Sequence, residues 1–328
     1  MNTRAAQVSV VMRTYTEARW NWFVDALESV LAQTVTPLEI IVVVDHNPAL
    51  RDRVEQYFPS VRAVENPGSA GSAGAWNACV AAARGAIVVF FDDDAVAAPD
   101  WLARLLAHYD DPNVLGVGGA IVGEWLDGRP RWFPAEFDWV VGCTYTGMPT
   151  QATAVRNLIG CNMSFRRSVF DGIGGFRESL GHIGGKPIGC DETELCIRIG
   201  QRWPAQELRY EPAAVVRHRI PTSRTTWRYF YHRCVLEGRS KALVSRLVGS
   251  GAGLASERAY TMKTLPRGVV RGLAAALTSD RSGLQRAWVI VSGLLVTAAS
   301  YLIGRAQQLR ARAAHDERLE SPPVIVPQ

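Results

Sequence analysis

The sequence has few cysteines, six in 328 residues, and no two of them stand in a C-x-x-C pair. Cys79, Cys143, Cys161, Cys190, Cys196 and Cys234 are scattered, which speaks against a zinc knuckle or a disulfide framework. They read as reduced, mostly buried thiols in a cytoplasmic compartment. MNTRAAQVSVVMRTY lacks an apolar signal core, so no secretory leader is expected. Low-complexity tracts and internal repeats are also missing, and 48% hydrophobic with 20% charged residues is globular composition. Charge of one sign is not in excess either. Lys and Arg number 36 against 31 Asp and Glu, a balance of +5, and no basic stretch is interleaved with aromatics. That pattern excludes nucleic acid as the expected partner.

What is present is an alternation of strand and helix. Val8–Met12, Glu39–Val44 and Ala86–Phe91 are continuous apolar, β-branched or aromatic runs, the mark of strands buried on both faces. Helical spacing occupies Glu17–Gln33, Asp52–Phe58, Ser72–Ala83 and Pro99–Tyr109, and Val61–Val64 reads as an edge strand. The rhythm predicts a parallel α/β sheet whose ligands sit outside the carboxyl ends of the strands. Gly116 to Gly185 reads as irregular, with Trp125, Trp132 and Trp139 on loops and Ser179–Gly189 as a mobile loop. Helix resumes over Glu192–Gln201, a short strand is expected near Ala214–His218, and the chain is helical and basic from Arg224 onward.

Ala287–Gly304 is uncharged over 18 residues and bracketed by Arg286 and Arg305. It sits at the short end of the range for a membrane span. Trp288 and Tyr301 lie near its ends, where aromatic residues favour the interface. Basic residues on both sides leave a crossing helix and an interfacial one equally open, and a buried core helix has the same composition.

Asp92-Asp93-Asp94 follows the strand AIVVFF directly. Three adjacent carboxylates repel one another, and a hard divalent cation removes that cost. Asp45 closes EIIVVVD, so two acidic strand ends face one crevice, although a lone Asp there also serves as a helix cap. Asn66 opens a Gly/Ser/Ala loop feeding the helix of Asn77, a geometry that lets backbone approach an anion. Asp191-Glu192 opens a helix behind the flexible Gly loop. Acids there favour the helix dipole, and a carboxylate beside a closing loop also suits a general base. His218 stands beyond a short strand. Arg224, Arg228 and Arg233 are spaced to share a helical face, either as surface charge or as a clamp for a diphosphate or lipid phosphate.

In this order the segments VSVVMRTYTEAR, SVLAQTVTPLEIIVVVD, ENPGSAGSAGAWNACVAAARGAIVVFFDDDAVAAPDWL and GCDETELCIRIG resemble the family-2 inverting glycosyltransferases, over roughly residues 7 to 235. The resemblance implies an A-type nucleotide-sugar fold, a Rossmann-like parallel or mixed sheet with flanking helices. It gives Thr14, Glu17 and Asp45 as nucleoside contacts, Asp45 toward the base. Asp92 and Asp94 match the two Asp of the D-x-D motif, Asp94 being the direct ligand of Mg²⁺ or Mn²⁺. Asp93 would lie near ribose or metal, Glu192 would be the catalytic base, and His218 a further metal ligand. Thr16 stands where the family has Asn, Trp76 where it has Arg, and the acidic pair reads Asp-Glu where Glu-Asp is commoner.

The expected layout is a catalytic domain over 1–222, a basic helical extension over 223–284, a membrane-spanning or interfacial helix over 285–305 and a polar tail over 306–328. The expected reaction takes a sugar from a nucleotide-diphosphate donor, UDP-linked, to a hydroxyl of a glycan or polyprenyl-linked saccharide. The expected place is the cytoplasmic face of the plasma membrane, with membrane lipid as a partner. Rival readings are a polyprenyl-phosphate sugar synthase, whose ionised phosphate acceptor needs no base, and a non-catalytic sugar or nucleotide binder on the same scaffold.

Overall fold

The computed structural model of the protein describes residues 7–320, apart from 184–185, 250, 252–254 and 279. For 182–183, 186–188, 255–256 and 311–320 it describes the backbone alone. The first half is the alternation read from the sequence. It comprises β1 (Val8–Thr14), α1 (Trp20–Leu31), β2 (Glu39–Val44), α2 (Pro48–Tyr57), β3 (Arg62–Glu65), α3 (Ser72–Ala82) and β4 (Ile87–Asp92). β1 pairs in parallel with β2 on one side and β4 on the other, and β2 with β3. The apolar runs are continuous because helices cover both faces. Val8, Val10 and Met12 pack with the α1 residues Phe23 and Leu27, whereas Val11, Val88 and Phe90 pack with Trp76 of α3. Pro48 starts α2 ahead of the expected Asp52, and the Asn47 side chain accepts from Leu50 N–H at 3.1 Å. Asp45 is therefore not the cap.

β5 (Ala95–Ala97) and α4 (Trp101–Leu106) follow the three aspartates. Then comes a departure from the sequence reading. Val114–Trp125 is not a loop but a 12-residue strand, β6, in the interior of the sheet. Its glycines, which read as loop, are there for close packing. A Cβ on Gly119 would lie 1.9 Å from the Ala214 carbonyl oxygen and 2.5 Å from Asn162 Nδ2. After β7 (Thr153–Val155) and β8 (Asn162–Arg166), the chain forms α5 (Ser168–Ile173) and a short antiparallel ribbon, β9 (Gly181–Ile183) with β10 (Lys186–Ile188), where a loop was expected. α6 (Asp191–Arg202) leads into β11 (Glu207–Ile220), far longer than the expected Ala214–His218.

The sheet order is β3-β2-β1-β4-β8-β6-β11-β5, with β7 also on β11. β8 runs antiparallel to β4 and β6, and β11 runs parallel to β6 with a register shift between Glu211 and Val215. Fully buried Asn162 secures that irregularity, donating to the carbonyls of Ala120 at 3.0 Å and Ala214 at 2.9 Å and accepting from Trp101 Nε1 at 2.8 Å.

The C-terminal helices are α7 (Trp227–Val248), α8 (Ala255–Ala259), α9 (Leu265–Thr278) and α10 (Ser282–Glu320). Within α10, Ser282–Arg310 is long and apolar enough to cross a membrane by length and composition, and a third of its apolar window is buried in the rest of the protein. The buried face carries Ala287, Val289 and Ile290. It lies so close to α7 that a Cβ on Gly238 would fall 2.3 Å from the Thr297 carbonyl oxygen. Trp288, Leu295 and Leu302 face outward.

Candidate functional site

A cavity of about 1010 Å³ opens outside the carboxyl ends of β1 and β4 and is closed on the far side by α7 and α10. β4 delivers its terminal acids there. Thr14, at the end of β1, donates from Oγ1 to Asp93 Oδ2 at 2.8 Å. Arg13 donates from Nε to Asp92 Oδ1 at 3.3 Å, and its guanidinium stacks 4.4 Å from the Trp76 ring. Arg19 donates to Asp94 Oδ2 at 2.9 Å and lies 3.2 Å from Asp93 Oδ1. His218, carried in by β11, places Nε2 3.3 Å from Asp94 Oδ1, and Arg224 Nη2 is 3.7 Å from Asp94 Oδ2.

Burial sets the electrostatics. It pushes the Asp93 carboxyl up to about 6, against the opposing guanidinium of Arg19. For Asp94 the burial penalty is outweighed by His218, then Arg224 and Arg19, which hold it well below the usual carboxylate range. Burial also disfavours the His218 cation, yet the Asp94 carboxylate raises that imidazole to about 10.

Among the described residues, no group of three or more His, Cys, Asp or Glu side chains converges into a ready-made metal cage. The donor chemistry nonetheless fits a hard divalent cation. Asp94 carboxylate oxygens and the His218 nitrogen stand together, Asp92 adjoins them on the cavity wall, and Mg²⁺-type ions commonly bind through one or two carboxylates plus substrate phosphates. His218 would enter such a set neutral, giving up its proton.

The acidic pair meets the same cavity from the opposite side. Cys190 adopts φ 73° immediately before α6, one of two non-glycine residues in the left-handed region among the described residues; the other is His46, beside Asp45. Each strained residue thus adjoins a candidate site carboxylate. Asp191 accepts from Ser72 Oγ at 3.2 Å, which ties the base pair to the start of α3. Glu192 is partly exposed on the cavity wall. Burial, and then the charge of Asp191, push its carboxyl well above the ordinary range.

Asp45 also lines the cavity and orders the glycine loop. Its Oδ1 accepts from Asn66 Nδ2 at 2.7 Å and faces His46 Nδ1 at 2.9 Å, and its Oδ2 accepts from Gly71 N–H at 2.9 Å.

Four expected site residues do not line the cavity. Asn66 is buried behind the loop, accepting from Gly68 N–H and donating to the Ser69 carbonyl. Asn77 lies deeper along α3, where its amide holds the backbone N–H and C=O of Phe176 at 2.7 and 2.9 Å. Glu17 points away from the cavity, 3.8 Å from Arg53. Arg228 is exposed. The shared arginine face is not formed, because Arg224 sits in a turn (Thr222–Arg224) ahead of α7, although Arg224 and Arg233 both reach the cavity.

The sequence reading missed Arg13 and Arg19, whose signal was available: buried neighbouring carboxylates demand cations, and both arginines lie in the opening segment. It also missed Arg156, Glu237, Lys241 and Glu257, which line the far half of the cavity and belong to no motif.

A mixed sheet ending in acidic strand termini, with helices on both faces, is the A-type glycosyltransferase fold. The mannosyltransferase PcManGT from Pyrobaculum calidifontis, solved with GDP-Man and Mn²⁺, shares it over 90% of this chain and 87% of its own, with a TM-score of 0.57 and 20% identity. GalNAc-T7, solved with UDP, GalNAc and Mn²⁺, shares it with a TM-score of 0.52 and 17% identity, over 83% of this chain and 57% of its own. In sequence, the glucosyl-dolichyl phosphate glucuronosyltransferase of Haloferax volcanii is 36% identical over 245 residues, 74% of this chain and 78% of that protein. The Glycosyl transferase family 2 model matches residues 9–174, and the chain belongs to that family. It is a glycosyltransferase.

Proposed function

We propose that the protein transfers a sugar, with inversion, from a UDP-linked donor to a hydroxyl of a lipid-linked saccharide. The observation that carries this reading is the meeting of two acid groups on one cavity, Asp92–Asp94 from β4 and Asp191-Glu192 from α6. The relative from Haloferax volcanii, named for a dolichyl-phosphate-linked glucose, supports the acceptor class.

Asp94 and His218, with Asp92 beside them, would hold Mg²⁺ or Mn²⁺, which when bound neutralises charge on the departing diphosphate. Arg19 and Arg224, already beside Asp94, are placed to bind the phosphates. Thr14 orients Asp93. Asp45 keeps one of its four acceptor positions free of the protein contacts described, enough to accept a uracil imide N–H. Glu192 takes the proton of the attacking hydroxyl, and its raised pKa makes it a stronger base than an ordinary carboxylate. A phosphate acceptor would leave that base without a task.

Replacing Glu192 with Gln keeps shape and removes the proton acceptor. Turnover falls roughly 10²–10⁴-fold while UDP affinity, read by calorimetry, stays at the wild-type value. An inactive Asp191→Asn beside an active Glu192→Gln would transfer the role to Asp191.

Attachment to the cytoplasmic face of the plasma membrane is peripheral in this reading. α10 is clamped along α7, which carries Arg228, Arg233, Glu237, Arg239 and Lys241 and does not belong in hydrocarbon. Its outward Trp288, Leu295 and Leu302 would rest in the headgroup region. In flotation the protein rises with vesicles containing anionic lipid, and Trp288→Asp with Leu295→Asp leaves it at the bottom. Equal flotation of both proteins would refute the arrangement.

A further inference from the structure

Among the described residues, no hydrogen bond from outside α6 reaches the Glu192 carboxyl, whose side-chain partner is Asp191. The place of Glu192 on the cavity wall is therefore set by where α6 begins. Two elements hold that start. From α3, Ser72 donates from Oγ to Asp191 Oδ2 at 3.2 Å. From α7, Glu237 accepts from the Cys190 thiol, with both carboxylate oxygens 3.7 Å from Sγ. Arg233, one helical turn earlier on α7, is near enough that a Cβ on Gly189 would lie 3.7 Å from its Nη2. α7 thus bears on the two residues immediately ahead of the acidic pair.

Cys190 is an unexpected residue for this turn. Its φ of 73° suits glycine, and Gly189 stands one position too early to supply it. Cys190 packs with Leu180, Ile197, Val244 and Val248, the cluster that joins α6 to α7, and an apolar side chain would serve that cluster as well. What the thiol adds is a donor facing a carboxylate. Burial, and then the Glu237 charge, hold the thiol well above its ordinary range, so it stays protonated and able to donate. Glu237 is itself anchored. Lys241 lies 3.1 Å from Glu237 Oε1 and donates from Nζ to Glu257 Oε1 at 2.6 Å, and Arg156 meets Glu257 with both terminal nitrogens, at 3.0 and 3.1 Å.

We propose that Glu237 is a positioning residue for the glycosyl-transfer base: by gripping the Cys190 thiol it fixes the strained turn ahead of α6, and with it the place of Glu192 on the cavity wall. In this role Glu237 acts through Cys190 and not on the substrates. This rests on the glycosyl-transfer reading, in which Glu192 takes the acceptor proton, and adds to it a residue of α7 that belongs to no motif.

Two readouts on the full chain test this. The first is the S–H stretch of Cys190, isolated as the infrared difference between wild type and Cys190→Ala. It lies at the lowered frequency of a hydrogen-bonded thiol and moves up in Glu237→Leu, a change that leaves Lys241 its bond to Glu257. The second is kcat for UDP release from a panel of UDP-hexoses, with octyl glucoside below its micelle concentration as acceptor. Cys190→Ala and Glu237→Leu each lower kcat roughly tenfold, short of the 10²-fold that ~1 Å of misplacement can cost, while donor KM and UDP affinity by calorimetry are unchanged. Cys190→Ser keeps a donor and Glu237→Gln keeps an acceptor oxygen, and both hold kcat near the wild-type value. Combining Cys190→Ala with Glu237→Leu is no slower than the slower single variant, since both act through one contact. If Glu237→Leu does not fold, the wild-type thiol frequency and the comparison of Cys190→Ser with Cys190→Ala decide. A thiol at the free S–H frequency, a raised KM at constant kcat, losses that multiply in the double variant, or a Cys190→Ser as slow as Cys190→Ala overturns the proposal. A wild type that binds no UDP and releases none from any donor would instead sink the glycosyl-transfer reading itself, and the thiol frequency would still decide the contact.

Discussion

At the end of the cavity formed by β1 and β4, the carboxylates of Asp45, Asp92, Asp93, Asp94, Asp191 and Glu192 outnumber the guanidiniums of Arg13, Arg19 and Arg224. At the end formed by α7 and α10, Glu237 and Glu257 are paired with Lys241 and Arg156, and Arg233 adds a further cation to the lining. Both ends are buried, so desolvation acts on both. Where charge is unbalanced it shows as carboxyls driven upward, Asp93 and Glu192, beside a cation held on, His218. In the Lys241–Glu257 pair, each partner keeps the other ionised. The contrast separates a surface that gains from an added cation and a proton acceptor from one whose carboxylates already have cationic partners.

The sharpest way to break this comparison is at Asp94. Asp94→Ala is expected to lower turnover about 10²–10³-fold, the loss of one electrostatic stabiliser worth ~3 kcal/mol, and EDTA should inactivate the wild type to a similar degree. Activity that survives both treatments would mean the acidic end has no need of a cation.

A smaller effect is expected at Asp45. Asp45→Ala removes a charge-assisted hydrogen bond worth about 1.5 kcal/mol, so UDP affinity falls roughly tenfold. Calorimetry should also show that its advantage over GDP disappears. An unchanged preference would move base recognition elsewhere on the glycine loop.

The subtlest effect concerns pH. Burial and the Asp191 charge both raise Glu192, and a base must be unprotonated to act. Activity therefore rises with pH through the Glu192 ionisation. Asp191→Asn removes the like charge, lowers the Glu192 pKa and moves the acid limb of kcat/KM to lower pH. A limb that stays in place would show that Asp191 does not influence the base.

Several parts of this arrangement were legible in one dimension because their causes are local. β1, β2 and β4 are covered on both faces, so every residue in the run is apolar and the acids at their ends stand out. α6 announces itself by acids in its first turn. β6 gave no such signal. Its Gly116, Gly118, Gly119 and Gly123 have the composition of a loop, and their reason is the approach of β8 and β11, which are distant in the chain.

Sequence alone thus determined the family, the order of the strands' acidic ends and the position of the acidic pair, since each is written in consecutive residues. Only the tertiary structure decided which of those residues share a wall. It turned Glu17 and Arg228 away, gave Asn66 and Asn77 to the backbone, and set Arg13 and Arg19 against the aspartates. It brought Arg156 to Glu257 across a separation of 101 residues and set Lys241 on the same carboxylate. It also decided the setting of α10. An apolar run meets its chemical need equally in a bilayer or against a protein core, and what distinguishes the two is the presence of α7 along one face, a fact of three dimensions.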